Sequence, residues 1–286
     1  MTELPDRRLH AFRPDLADIR LEGRVPAERF VEGIPARVSA PLAPLRRSPS
    51  SGAMLETEAL FGETLRVFET DGEGWSWVQL DGDGYVGYAP ADALTTTETP
   101  APTHRVVAPR TLLFPGPDIK LPPLAGLPMG ALVTATGEAS DHNARYRLVA
   151  PFGAIVAQHL EPLDARQDDF PAVAERFLGA PYLWGGKSAL GLDCTGLVQV
   201  ALAMCGIAAP RDSDMQEKAL GQALPAEAPR RRGDLVFWRG HVGIMLDEAR
   251  LLHANAHHMM TAIEPLAEAI ARIGGRGTPV SSIRRL

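Results

Sequence analysis

From Ala36 to about Leu94, apolar and polar residues alternate in short runs, ARVSAPL, GETLRVFET, GWSWVQL and GYVGYAP, separated by DGEG and DGDG. A period of two bounded by Asp-Gly turns predicts antiparallel strands, so residues 36–98 are expected to form a small β-barrel. The stretch TTTETPAPT lacks periodicity and reads as a linker. A second β-type block, 103–163, carries HRVVAP, TLLFPG, ALVTATGE, YRLVAP and GAIVAQHL, with PGPDIKLPPLAGLPMG expected as an extended loop. Both blocks end alike, GYVGYAPADAL and GAIVAQHLEPL, the pattern of a tandem of related barrels. Residues 1–35 are charged and punctuated by proline, and are read only as an N-terminal arm packed on its neighbour.

The pattern changes after Asp164, and 168–286 is read as one domain. FPAVAERFLG has helical spacing with Gly179 past its end, and CTGLVQVALAMCG reads as a buried helix closed by Gly206. GDLVFWRG, HVGIMLD and RLLHANA follow as consecutive strands, then EPLAEAIARI as a helix. Helix first and antiparallel sheet afterwards is an α+β layout.

Composition narrows the function. Hydrophobic residues make up 45% of the 286 and charged ones 22%, a globular balance. The net charge of −6 with signs mixed along the chain argues against a nucleic-acid partner. No run of about 18 apolar residues occurs and the first residues lack a signal-peptide core, so the expectation is a soluble cytoplasmic protein with no membrane partner. The two cysteines, Cys194 and Cys205, lie on one predicted helix roughly 16 Å apart, beyond disulfide reach.

Cys194 stands where a Gly-rich loop, PYLWGGKSALGLD, meets an apolar helix. There the helix dipole favours thiolate and predicts a depressed pKa. A free cysteine is otherwise a small buried apolar residue, the reading given to Cys205. His241 and His253, on adjacent predicted strands, offer a base and an orienting group for such a thiol. The two could equally be metal ligands, but a zinc site needs three or four, and the neighbouring His257 and His258 fall in a loop beyond the strand, so zinc is the lesser expectation.

YLWGG, LDCTGLV, PRDS, RRGDLVFW, HVGIML and LLHANA, in this order and spacing, resemble the NlpC family of papain-like bacterial cell-wall peptidases. The upstream blocks resemble the bacterial SH3-like domains that precede it. The resemblance implies a papain-like domain without cofactor or metal, with Cys194 as nucleophile, His241 as base, His253 orienting it and Tyr182 on the oxyanion side. Trp184 would line the substrate wall, and Thr195 replaces the usual serine. Two SH3-like domains with YLWGG and PRDS are similar to the γ-D-glutamyl-L-diamino-acid endopeptidases, which require a free N-terminal amine on a murein peptide. That implies substrate contacts from Asp193, Asp212 and Ser213 with Arg211 beside them, and from Tyr85, Glu58 or Glu63 in the first barrel. On local sequence alone, Arg211 and Asp212 read instead as a solvated ion pair, with Ser213 capping the next helix. Competing functions are a thiol amidase or acyltransferase on the same scaffold, and an inactive wall-binding adaptor.

Overall fold

The computed structural model describes residues 4–286 apart from position 226, and the chain divides into two compact units, one up to Leu163 and one from Asp164 onward. Among the described residues no helix is long and apolar enough to cross a membrane.

In the N-terminal unit the first block forms a seven-stranded antiparallel sheet, in the order 55–60, 42–46, 86–90, 75–80, 64–70, 34–38, 94–95. Its alternate residues, among them Val38, Leu45, Leu65, Val78, Leu80 and Tyr85, fill one core. The second block is built from three small sheets around Val106, Leu127, Val133, Val149 and Ile155. Each block closes in the same way. A strand runs into a single 3-10 turn, 91–93 or 157–159, and a short segment then pairs back on the block's first strand.

Two segments differ from the sequence expectation. The Pro-rich stretch is a loop only to Leu124, because Ala125–Pro128 pairs with Arg110–Leu113. That pairing is one-sided, so Pro128 at its end costs no ladder bond that a central strand would need. The N-terminal arm is ordered, with Leu16–Asp18 parallel to Arg29–Val31 and a small core of Phe12, Ala17, Leu21 and Val25. Arg13, paired within the arm to Asp15, fastens the arm to the barrel by pairing with Glu69, donating to the Tyr88 hydroxyl and lying 4.4 Å from the Trp77 ring centroid.

The C-terminal unit begins with helix α1, Phe170–Glu175, followed by the loop that leads to α2, Cys194–Met204, and then α3, Ser213–Ala219. A six-stranded antiparallel sheet comes next: β1 Gln222–Ala223, β2 Leu235–Trp238, β3 His241–Met245, β4 Arg250–Asn255, β5 Met260–Pro265 and β6 Val280–Arg285, in the order β1-β6-β2-β3-β4-β5. Helix α4, Leu266–Gly274, lies between β5 and β6 in sequence.

Helix α2 is buried on nearly every side, which is why its sequence is apolar throughout rather than striped. It packs on β3 and β4. Helix α4 is striped, and its Leu266 and Ala269 join Val236, Trp238, Met245 and Leu251 of the sheet in one cluster. Burying each large apolar side chain there contributes roughly 1.5–3 kcal/mol. By the period-two rule His253 shares the α4-covered face with Leu251, and Glu264, directly opposite Leu251 in register, shares it too. The strand containing Glu264 is itself a correction, since the sequence placed EPL at the start of a helix that here begins at Leu266.

Asp234, in the RRGD run, is completely buried and paired with Arg285 at 2.7 Å, while it accepts the Arg231 N–H. The motif therefore ties the start of β2 to the end of β6.

Candidate active site

Cys194 is the first residue of α2, and Asp193 is its cap. The Asp193 carboxylate accepts the Gly196 N–H at 2.7 Å and the Thr195 hydroxyl at 3.0 Å through Oδ1, and the Gly185 N–H at 2.9 Å through Oδ2. Arg211, 1% exposed, adds a two-pronged ion pair, Nη1 to Oδ1 at 2.9 Å and Nη2 to Oδ2 at 2.6 Å, and also donates to the Thr195 hydroxyl at 2.5 Å. Five donors thus converge on one buried carboxylate, the condition under which a buried charge is tolerated. Gly196 is required by close approach: a Cβ there would lie 2.2 Å from the Gly186 carbonyl oxygen.

This overturns part of the sequence reading. Arg211 is a buried partner of Asp193 rather than one half of a solvated pair with Asp212. Asp193, Thr195 and Arg211 have their side-chain polar atoms turned on one another and hold the loop and the helix start. Asp212, not Ser213, stands at the cap position of α3, and Ser213 is the first helical residue. The buried Gln216 donates to the Thr195 and Pro210 carbonyls, which fastens the 210–216 segment beside the cysteine.

The thiol lies beside β3, the interior strand that begins with His241, and His253 is on the neighbouring interior strand β4. The backbone N–H groups of Val242 and Thr195 both donate to Cys194 Sγ, which puts the sulfur against the residue next to His241. His241 Nε2 and His253 Nδ1 are 2.8 Å apart, and His253 Nε2 is 2.6 Å from Glu264 Oε1. Arg272 of α4 pairs with the same Glu264 oxygen. An ionised carboxylate only accepts, so His253 carries its proton on Nε2, and its Nδ1 then accepts from His241 Nε2–H. His241 is left with a lone pair on Nδ1, the state a general base needs.

Burial, then the Asp193 charge, push the Cys194 thiol up to about 12, with the Val242 N–H, Arg211 and the Thr195 N–H offsetting only part of this. Burial, followed by His253 and Arg272, pulls His241 down to about 3. Burial and then Arg272 do the same to His253, also to about 3. The depressed thiol expected from the helix terminus is therefore not the resting state. At neutral pH a protonated thiol faces a neutral imidazole, because enclosing the pair outweighs a dipole effect worth about 1 kcal/mol. Burial, together with Cys194 and Asp193, pushes the Tyr182 phenol above its ordinary value, so it remains a donor.

Trp184 is 58% exposed, as a residue of a cleft wall can be. Tyr85, Glu58 and Glu63 belong to the N-terminal unit: Tyr85 lies in the barrel core, Glu58 is buried, and Glu63 accepts the Leu60 N–H at 2.8 Å. Cys205 caps the C-terminal end of α2 and is partly exposed rather than buried. His253, His258 and Glu264 present ligand-type atoms within 4.8 Å of one another. Both His253 nitrogens and the Glu264 oxygen are already engaged in the relay, however, and Arg272 places a positive charge where a cation would sit. Glu264 and Arg272 were missed by sequence reasoning.

Two outcomes follow from these charges. Arg211→Met leaves Asp193 buried without its counterion and is expected to cost about 3 kcal/mol of stability, read as a lower urea midpoint. An unchanged midpoint would return Arg211 to a substrate role. His241 and His253 titrate near 3 in the folded protein against an ordinary 6.5, so between those values the unfolded chain binds protons that the folded chain does not. Their contribution is whole above about 6.5 and is lost as pH falls toward 3. Stability should drop by on the order of 4 kcal/mol from pH 7.5 to pH 5, about 2 kcal/mol from each histidine, and His241→Gln should roughly halve that drop in urea titrations at both pH values.

Comparison with known proteins bears on the same segment. A profile described as the NlpC/P60 family matches residues 179–272, and one described as the bacterial dipeptidyl-peptidase Sh3 domain matches 45–94. A γ-D-glutamyl-L-lysine dipeptidyl-peptidase of Bacillus cereus is 28% identical over 242 residues, covering 74% of this chain and 71% of the relative. Dipeptidyl-peptidase 6 of Lysinibacillus sphaericus is 26% identical over 238 residues, 77% of this chain and 87% of its own. The crystal structure of an NlpC/P60 family protein from Bacillus cereus superposes with a TM-score of 0.71 at 22% identity, over 88% of this chain and 99% of that one, which shows a shared fold. The segment carrying Cys194, His241 and His253 lies within the matched stretch, and the chain carries an NlpC/P60 cysteine peptidase domain with a bacterial SH3 domain ahead of it.

Proposed function

We propose that this protein is an endopeptidase that hydrolyses the bond from γ-D-glutamate to an L-diamino acid, meso-diaminopimelate or lysine, in free murein peptides with an unblocked N-terminal L-Ala. The observation that carries the reading is the Val242 N–H bonded to Cys194 Sγ, which sets the sulfur beside a histidine whose tautomer is fixed by a second histidine. The bond is suggested by relatives over about three quarters of the chain that are named for γ-D-glutamyl-L-lysine cleavage.

In this mechanism His241 Nδ1 takes the Sγ proton as the sulfur attacks the amide carbonyl, so thiolate forms during attack rather than in advance. The backbone N–H of Cys194, at the positive end of α2, and the Tyr182 hydroxyl stabilise the tetrahedral oxygen. The His241 imidazolium then protonates the departing diamino-acid amine, and water, deprotonated by the same nitrogen, hydrolyses the thioester. With Asp193 engaged by Arg211, we assign recognition of the substrate ammonium to Asp212 and Ser213, on the segment held against Thr195, and the apolar wall to Trp184. A reaction requiring a free amine suits peptides already released from the wall, and we place it in their recycling in the cytoplasm.

Cys194→Ala is expected to abolish cleavage of L-Ala-γ-D-Glu-diamino-acid tripeptide, followed by mass spectrometry, with the urea midpoint little changed. Appreciable residual cleavage would remove Cys194 from the role. The N-acetylated tripeptide should be cleaved at least about a hundredfold more slowly, since its neutral amide cannot replace a charge-paired ammonium. Equal cleavage of both peptides would leave the peptidase reading intact and end the amine requirement.

A further inference from the structure

We propose that Glu264 and Arg272 form a positioning pair that sets both the tautomer and the charge balance of the His253–His241 relay, Glu264 favouring proton uptake by His241 and Arg272 opposing it. The inference rests on the reading of His241 as the base for Cys194.

The geometry is an unbroken line across three strands and a helix. His241 on β3 donates to His253 on β4 over 2.8 Å, His253 donates to Glu264 on β5 over 2.6 Å, and Arg272 in the last turn of α4 pairs with the same oxygen. His253 is wholly buried and Glu264 is 7% exposed, so solvent does little to screen them. A carboxylate in this position serves no packing purpose that an apolar residue would not serve better, since burying it costs several kcal/mol. What it alone supplies is an acceptor that cannot also donate. Without it, His253 could place its proton on Nδ1 and donate to His241 Nε2, forcing the His241 proton onto Nδ1, the nitrogen that must be vacant.

The proton count is closed. The Sγ proton goes to His241 Nδ1, the His241 Nε2 proton stays in its bond to His253, the His253 Nε2 proton stays in its bond to Glu264, and no proton passes beyond His241. The imidazolium formed is then one residue removed from the Glu264 charge. The charged and titratable groups acting on the pair are Glu264 from β5, Arg272 from α4, Asp193 at the start of α2, and His257 and His258 in the turn after β4. Glu264 and Asp193 favour the imidazolium, whereas Arg272 disfavours it.

This gives opposite signs to two substitutions. Alkylation of Cys194 by iodoacetamide at pH 7 is followed by peptide mass spectrometry, with Cys205 in the same molecule as internal reference. Glu264→Gln should slow Cys194 relative to Cys205 by about tenfold and lower kcat for the tripeptide in proportion with KM little changed, because imidazolium formation loses its stabilising charge. Arg272→Gln, at the rim of α4, should instead raise the Cys194 rate by severalfold. If both substitutions slow Cys194, or neither changes it, the pair is merely structural and the proposal fails. Should Glu264→Gln not fold, shown by both cysteines reacting alike, Arg272→Gln decides alone, a rise supporting the proposal and a fall or no change overturning it. Failure of the peptidase reading is separately visible, as tripeptide cleavage that is absent from the wild-type protein or survives Cys194→Ala.

Discussion

The Asp193 carboxylate is the fixed point of the C-terminal unit. One side chain caps α2, holds Gly185 of the preceding loop and neutralises a buried arginine that arrives from 18 residues downstream. Each of these contacts alone is worth about 1 kcal/mol, but together they satisfy both oxygens and leave a single place where the helix can start. The helix start determines where Cys194 points. Because Gly196 meets the Gly186 carbonyl without room for a Cβ, the loop and the first helical turn interlock, and the sulfur comes to rest under the Val242 N–H.

That enclosure has a consequence for reactivity. A helix N-terminus and two N–H donors all favour thiolate, yet burial pushes the thiol up and both imidazoles down, toward their neutral forms. A neutral pair reacts more slowly with oxidants and electrophiles than an ion pair does, since the thiolate is the reactive form. Chemistry then requires a substrate carbonyl to arrive within reach, so that proton transfer and attack share one barrier. Behind the histidines lie Glu264, which is buried, and Arg272, which is partly exposed, both linked to His241 by way of His253.

How much of this was legible in the sequence varied with how each residue declares itself. Cys194 announced its place because a Gly-rich loop and an unbroken apolar run meet there, and the strands bearing His241 and His253 stood out as short apolar runs between turns. Arg211 did not, because an arginine followed by aspartate reads as a solvated pair, and only the fold brings Asp193 to it. Glu264 was hidden by its neighbours: an acid just before a striped helix looks like first-turn dipole compensation, whereas Pro265 ends a strand at that point. The ordered N-terminal arm escaped for a different reason, since Leu16, Ala17 and Asp18 are all buried in succession and follow neither helical nor strand period. The depressed thiol was a local inference from the helix terminus that tertiary burial reversed.

The same distinction applies to the acids expected to greet a substrate ammonium. Acidic residues near a cleft are easily counted as one pool, but here each has a separate assignment. Asp193 is closed off by five donors, and a sixth cationic partner would have to displace Arg211 from a bidentate pair that solvent does not reach. Glu264 answers to His253 and Arg272 on the covered face of the sheet. The 210–216 segment, tied through Gln216 to the Thr195 carbonyl, carries Asp212 outside both of these clusters. Under the proposed reading, the separation between that segment and Cys194 is what would measure two residues from the ammonium to the scissile carbonyl.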